Sequence, residues 1–346
     1  MDLAVFKVNY LGDSVIFLPV VQTLRRRHPD LRLAVWTDVA TAPLYAADVS
    51  ADDLVLVLRE EFFNAWRQPW RMVRHLTRMR RQPFAASLLS PDQGSVAHLL
   101  ARLAGGSVRA GAGGVARRVN GLTHAVERLG AWSMAQWDWE IARALLGALG
   151  RDDWPDIPPA PELGHLCAGG NPKENRITIH AGSKWDYTRW PLERYVGLAG
   201  RLARDHEVIW VDRPETHPRT LPPGVTTREA GSLAELVSLL NSSHLFVGNN
   251  SGPMHLASAL GTPSVILSGP THPGWDPQWN RERFLVLRQT GLPCQPCDGL
   301  PVPAYVCRLP AEPQACLRRW EVDVVEERCR DWLRSHDCRG LHPARS

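Results

Sequence analysis

The sequence predicts an α/β protein made of two Rossmann-like domains whose parallel sheets face a central cleft. Three observations carry that expectation. Short apolar runs alternate with helical stretches through both halves, the halves are similar in size, and a proline-dense segment separates them. Alternating strands and helices imply parallel sheets with helices on both faces. A chain of 346 residues is also too long for one typical core.

In the first half, 3–9, 31–37, 54–58 and 84–89 read as buried strands, most of them followed by a helical stretch. The second half repeats the pattern with strands at 176–180, 207–211, 245–248 and 264–267. Between them, Trp154-Pro155-Asp156-Ile157-Pro158-Pro159-Ala160-Pro161 favours extended chain and excludes helix. A late helix over 322–334 is expected to cross back onto the first domain.

Hydrophobic and charged contents of 44% and 22% fit a globular protein. Apolar runs such as 15–21 are too short to span a bilayer, and the N-terminus starts as a strand without a basic leader, so a cytoplasmic location is expected. A net charge of +4 is too mild to argue for nucleic acid. The charge is uneven, however. Residues 65–83 carry Arg67, Arg71, Arg74, Arg78, Arg80 and Arg81 with no acid, while Trp66, Trp70, Val73 and Leu76 fall at helical spacing on another face. The stretch reads as a solvated basic face; the functional alternative is a surface for an anionic acceptor or for peripheral membrane contact.

Four segments carry chemistry. The run Val247-Gly248-Asn249-Asn250-Ser251-Gly252-Pro253-Met254-His255 reads as a strand, a tight polar turn and the first turn of a helix. A helix N-terminus leaves N–H groups without intrahelical partners and adds partial positive charge, which suits a phosphate. Tyr10-Leu11-Gly12-Asp13-Ser14 follows the first strand, at the sheet edge where ligands bind. Asp13 or Ser14 reads as an N-cap, and Asp13 also as a general base kept charged by the helix N-terminus. His180-Ala181-Gly182-Ser183-Lys184 and Arg189-Trp190-Pro191 bracket a loop with two cations, Lys184 and Arg189, suited to a diphosphate leaving group. Asp212-Arg213-Pro214-Glu215 offers an acid after a strand, a common ribose contact.

In this order, Gly12-Asp13, His180-Ala181-Gly182-Ser183, Arg189-Trp190-Pro191-Leu192-Glu193-Arg194, Gly231-Ser232-Leu233-Ala234-Glu235-Leu236, Gly248 to Ala257, Gly261-Thr262-Pro263 and Gly269-Pro270-Thr271 resemble the ADP-heptose:lipopolysaccharide heptosyltransferase family. The match is dense over 176–297 and thin between about 40 and 170. The resemblance implies a GT-B fold and an inverting glycosyl transfer that needs no metal for catalysis. It implies an N-terminal acceptor-binding domain at 1–160, a nucleotide-sugar domain at 161–320, and a C-terminal helix and tail at 321–346. Asp13 matches the family's base and Glu215 its ribose contact. Ser183 and the Ser251-Gly252 turn match its backbone donors to the diphosphate, with Gly12, Lys184, Arg189, Asn250, Pro253 and His255 around them. Two positions depart from the family's pattern: Thr188 stands where a lysine is usual, and Asn250 where an aspartate is usual.

The implied donor is an ADP-heptose-like nucleotide-diphosphate sugar, and the acceptor a glycan, a protein hydroxyl or a small metabolite. A protein O-heptosyltransferase or secondary-metabolite glycosyltransferase is the near alternative. A non-catalytic nucleotide-sugar-binding protein and a sugar-nucleotide epimerase are alternatives of other classes. Cys294, Cys297, Cys307 and Cys316 lie in a proline-rich irregular stretch and read as a structural iron or zinc site, as reduced thiols, or as two disulfides. Some family members resemble this with an iron-binding cysteine loop. Trp132, Trp137 and Trp139 read as core packing rather than an acceptor platform.

Overall fold

The structure is a computed structural model that describes residues 2–81, 84–115, 119, 121–167, 175–211, 218–295, 297, 307 and 309–335. The chain divides into two compact units, Met1–Glu162 and Leu163–Ser346. The first runs β1 (Asp2–Lys7), α1 (Leu11–Arg27), β2 (Arg32–Asp38), β3 (Leu54–Val57), α2 (Arg59–Phe63), α3 (Pro69–Arg81), β4 (Ala86–Leu89), α4 (Ser95–Ala104), β5 (Val108–Ala112), β6 (His124–Val126) and α5 (Met134–Ala148). The second runs β7 (Arg176–His180), α6 (Leu192–Leu202), β8 (Glu207–Val211), β9 (Val225–Arg228), α7 (Leu233–Asn241), β10 (Leu245–Asn249), α8 (Gly252–Leu260), β11 (Ser264–Leu267), β12 (Phe284–Leu287), α9 (Ala315–Arg318) and α10 (Val322–Ser335).

Among the described residues each unit forms one six-stranded sheet, ordered β3-β2-β1-β4-β5-β6 and β12-β11-β10-β7-β8-β9. Every described pairing is parallel. Counted from the first strand of each unit, both orders are the same doubly wound pattern. Strands covered on both faces need continuous apolar side chains, and Leu3–Phe6, Leu245–Val247 and Val265–Leu267 are wholly buried. The chain changes winding direction between β1 and β4 and again between β7 and β10. There the connecting loops diverge at the carboxyl ends of the strands, the place where ligands bind in doubly wound sheets.

The proline-dense segment has no regular element and is fastened to α5. Trp154 packs on Trp139 with ring centroids 4.3 Å apart, and Trp139 Nε1 donates to the Pro155 carbonyl at 2.6 Å. Trp139 is fully buried. The late helix α10 buries Val325, Cys329 and Leu333 in the second unit's core, and Arg330 binds Asp205 at 2.8 Å.

The basic stretch differs from its sequence reading. Met72, Leu76 and Met79 form the inward stripe of α3, which leaves Trp66, Trp70 and Val73 outside at 61%, 67% and 60% exposure. Trp66 belongs to a separate turn, Ala65–Arg67, and within α3 the second apolar stripe, not the one through Trp70 and Val73, faces the core.

Gly248 is a tight spot in β10. A Cβ there would lie 2.7 Å from the ring of buried Phe246 and 3.2 Å from the His180 carbonyl. Gly248→Ala should therefore destabilise the second unit by about 1–3 kcal/mol in denaturant unfolding, and an unchanged midpoint would contradict this packing.

Candidate active site

In the first unit the crossover between β1 and β4 gathers charge. Lys7, at the end of β1, is 2% exposed and places its ammonium 2.7 Å from Asp92 and 2.8 Å from Ser90 Oγ. Asn9 Nδ2 donates to the same Asp92 oxygen at 2.7 Å, and Arg59 Nε donates to Asn9 Oδ1 at 2.9 Å. The Arg59 guanidinium lies 3.8 Å over the Tyr10 ring. From α5 comes Asp138, buried, accepting a hydrogen bond from Ser90, with its Oδ1 lacking any partner.

Asp13 stands in the first turn of α1, whose N-cap is Tyr10; neither Asp13 nor Ser14 caps the helix. The N-cap lies three residues before Asp13, so helical geometry starts earlier than that expectation needs. The expectation that the helix N-terminus keeps Asp13 charged also yields to its surroundings. Burial, then the Asp92 and Asp138 carboxylates, push Asp13 up to about 7 against the pull of Lys7 and Arg59. Burial likewise raises Asp138 to about 7. Burial works against ionised Asp92 too, yet the Lys7 ammonium and hydrogen bonds from Lys7, Gln93 and Asn9 hold it below the usual carboxylate range. Three carboxylates thus share one buried ammonium, and the group retains a proton near neutral pH. Sequence reading missed Lys7, Asp92 and Asp138. Asp92 becomes legible only once β4 is known to pair with β1, and Asp138 only as an acid inside an otherwise apolar helical face.

In the second unit Gly248 pairs with His180 across β10 and β7, so the two loops that follow are neighbours. Asn249, fully buried, fastens them together. Its Oδ1 accepts from the Trp190 N–H at 3.0 Å, and its Nδ2 donates to the Ala181 carbonyl at 2.9 Å. This residue was not singled out from sequence, where it looked like one more polar turn position. Ser183 Oγ donates to Thr188 Oγ1 at 2.6 Å, and the Thr188 hydroxyl donates in turn to the Trp185 carbonyl at 2.7 Å. Lys184 sits 4.2 Å over the Trp185 ring, and partial burial lowers its pKa. Arg189 forms an ion pair with exposed Asp186, while its Nε is buried without a partner.

The β10–α8 turn holds Asn250, Ser251, Gly252 and Pro253. Ser232 caps α7 through the Glu235 N–H, but no side chain caps α8, because Ser251 Oγ donates to the Asn249 carbonyl instead. Asn250 Nδ2 donates to Asp276 Oδ1 at 2.9 Å and Ser268 Oγ at 3.2 Å. Arg288 binds the same two atoms at 2.6 and 2.8 Å. An aspartate at position 250 would face the Asp276 carboxylate, so the amide suits this site. His255 is buried, and burial pushes it down to about 3, so it is a neutral imidazole rather than a cation for phosphate. Glu215 lies outside the described residues, as does the whole 212–217 segment.

Burial and then the thiols of Cys297, Cys307 and Cys294 push the Cys316 thiol up to about 12. The Gln314 N–H donates to Cys307 Sγ at 3.1 Å. No set of three or more His, Cys, Asp or Glu side chains among the described residues stands at metal-ligand spacing.

Residues 72–301 match the profile of glycosyltransferase family 9 (heptosyltransferase). The chain is 23% identical over 296 residues to lipopolysaccharide heptosyltransferase 3 of Escherichia coli, covering 79% of this chain and 85% of that one. Among solved structures it superposes on the E. coli heptosyltransferase WaaC with ADP-2-deoxy-2-fluoro heptose at a TM-score of 0.69 and 15% identity, over 96% of this chain and 99% of that one. It also superposes on the iron-containing dodecameric glycosyltransferase TibC of enterotoxigenic E. coli H10407 at a TM-score of 0.58 and 16% identity, covering 98% and 80%. The two parallel sheets thus share the GT-B fold of these enzymes. The profile match spans well over half of the sequence, and the chain belongs to glycosyltransferase family 9, the heptosyltransferases.

Proposed function

We propose that this glycosyltransferase moves a heptose-like sugar from an ADP-sugar to an acceptor hydroxyl with inversion, and that Asp13 is its base. The acceptor O–H gives its proton to the Asp13 carboxylate while its oxygen attacks the anomeric carbon. The bond from that carbon to the diphosphate oxygen breaks, and ADP leaves with the electron pair. The observation that carries the reading is Asp13 itself. It stands at the carboxyl end of β1 with a pKa pushed up to about 7, near the value a general base needs at neutral pH.

On the donor side, the start of α8, which no side chain caps, and the buried Arg189 Nε, which has no hydrogen-bond partner, are placed to receive an anion, with the Lys184 ammonium on the same loop as Arg189. Charge grows on the departing diphosphate, so these groups act most strongly in the transition state. Glu215 is proposed for the adenosine ribose by resemblance alone. WaaC with ADP-2-deoxy-2-fluoro heptose, and WaaC with ADP, support this donor class. The lipopolysaccharide relative favours a glycan acceptor, with protein or small-molecule acceptors as the alternatives. No described helix is long and apolar enough to cross a membrane, and the proposed location is the cytoplasm, where nucleotide sugars are made.

A structural role for the cysteines is a second reading. The iron-containing TibC among the chain's structural relatives favours it, as four sulfur donors suit iron or zinc. Purified protein should then carry near-stoichiometric iron or zinc by elemental analysis, and metal-free folded protein would refute the reading.

Transfer from ADP-heptose should fall by at least ~10²-fold in Asp13→Asn with the melting temperature unchanged. Full turnover in that variant would remove Asp13 as the base. The rate of the wild type should fall as pH drops below about 7, where Asp13 gains its proton. Asp138 raises the Asp13 pKa, so Asp138→Asn should move that acid limb to lower pH. A limb that stays in place would break the coupling between the two carboxylates.

A further inference from the structure

The outer face of α3 is a feature that the sugar-transfer reading leaves unused. From 62 to 91 the chain has six arginines, one histidine and no acid. Because the whole chain carries only +4, the remainder holds a slight acid excess and the positive charge is concentrated here. Arg71 is bound to Glu61 at 3.0 Å, and the Arg67 guanidinium lies 5.0 Å over the Trp66 ring. Arg74, Arg78, Arg80 and Arg81 are exposed and form no ion pair with a described residue.

Apolar surface accompanies this charge. Trp70 and Val73 lie on the outward side of the helix with Arg74, Thr77 and Arg81, and Trp66 flanks them from the preceding turn. The helix has its own core anchor on the other side, in Met72, Leu76 and Met79. Folding therefore does not require the exposed tryptophans, which are left in water beside arginines. Indole rings favour the boundary between headgroups and acyl chains, and arginine forks favour phosphate oxygens. A helix with both on its outer side has the composition of an interfacial helix.

We propose that the outer face of α3, with Trp66 from the turn before it, docks the protein on an anionic lipid bilayer. A second copy of the chain fits poorly, because pairing two such faces would oppose two arginine clusters. Nucleic acid would match the charge but gives no reason for an exposed valine and two exposed tryptophans on the same side. Docking of this kind needs neither donor nor turnover, so it stands or falls apart from the proposed reaction.

The test is co-sedimentation of the full chain with vesicles of phosphatidylcholine alone and of phosphatidylcholine with phosphatidylglycerol, with duplex DNA as a competitor. Wild type should bind the anionic vesicles at least ~10-fold better than the neutral ones, and less well as salt rises. Binding should drop by at least ~10-fold in Trp66→Ser/Trp70→Ser and again in Arg74→Glu/Arg78→Glu. Both variants alter exposed side chains and should keep the wild-type melting temperature. Wild type that ignores anionic vesicles, a tryptophan variant that binds as wild type does, or DNA that displaces the protein from vesicles would each overturn the proposal.

Discussion

Each unit depends on one constraint: a parallel sheet whose central pair of strands sends its connections to opposite faces. Past the ends of the strands the two loops diverge, and buried side chains tie them together. In the first unit the Lys7–Asp92 pair, at 2.7 Å, ties the end of β1 to the loop after β4. In the second, a neutral amide does the same work, as Asn249 reaches from β10 to the Ala181 carbonyl and the Trp190 N–H. Both fasteners are almost fully buried, where an unmatched polar group is costly and a matched one fixes geometry. The choice of fastener then sets the chemistry beside it. An ion pair surrounds Asp13 with charge, whereas an amide adds no charge near the uncapped start of α8.

The first site is crowded with acids. Asp13, Asp92 and Asp138 compete for Lys7, with half-buried Arg59 helping, and Asp92 alone of the three is held below its usual range. Asp13 and Asp138 are both pushed up to about 7. A carboxylate in that position takes a proton more readily than an ordinary aspartate, which suits the proposed role of Asp13. In the second unit, Asn250 meets Asp276 and Arg288 in a closed hydrogen-bonded set with Ser268. The departure at 250 thus has a local cause in a carboxylate 2.9 Å away.

Much of the fold was legible because fully covered strands must be apolar along their whole length. β1, β7, β8, β10 and β11 announce themselves in this way. β5, Val-Arg-Ala-Gly-Ala, and β6, three partly exposed residues, do not, and β9 is mostly solvent-facing. Short edge strands take their identity from their neighbours rather than from their own pattern. The location of Asp13 followed from strand order, but its environment did not, because Lys7, Asp92 and Asp138 meet it across long sequence separations. Asn249 was hidden for the same reason, since its partners lie 59 and 68 residues away. The faces of α3 were misread because the helix carries two apolar stripes, and Met72, Leu76 and Met79 rather than Trp70 and Val73 pack on the core.

The central claim is that the β7/β10 crossover is built for an adenine nucleotide diphosphate bearing a heptose. Calorimetric titration of the intact chain with ADP, UDP, GDP and ADP-heptose isomers addresses it most directly. The account predicts selective micromolar binding of ADP and of one ADP-heptose. Preference for UDP or GDP, or no nucleotide binding at all, would contradict it.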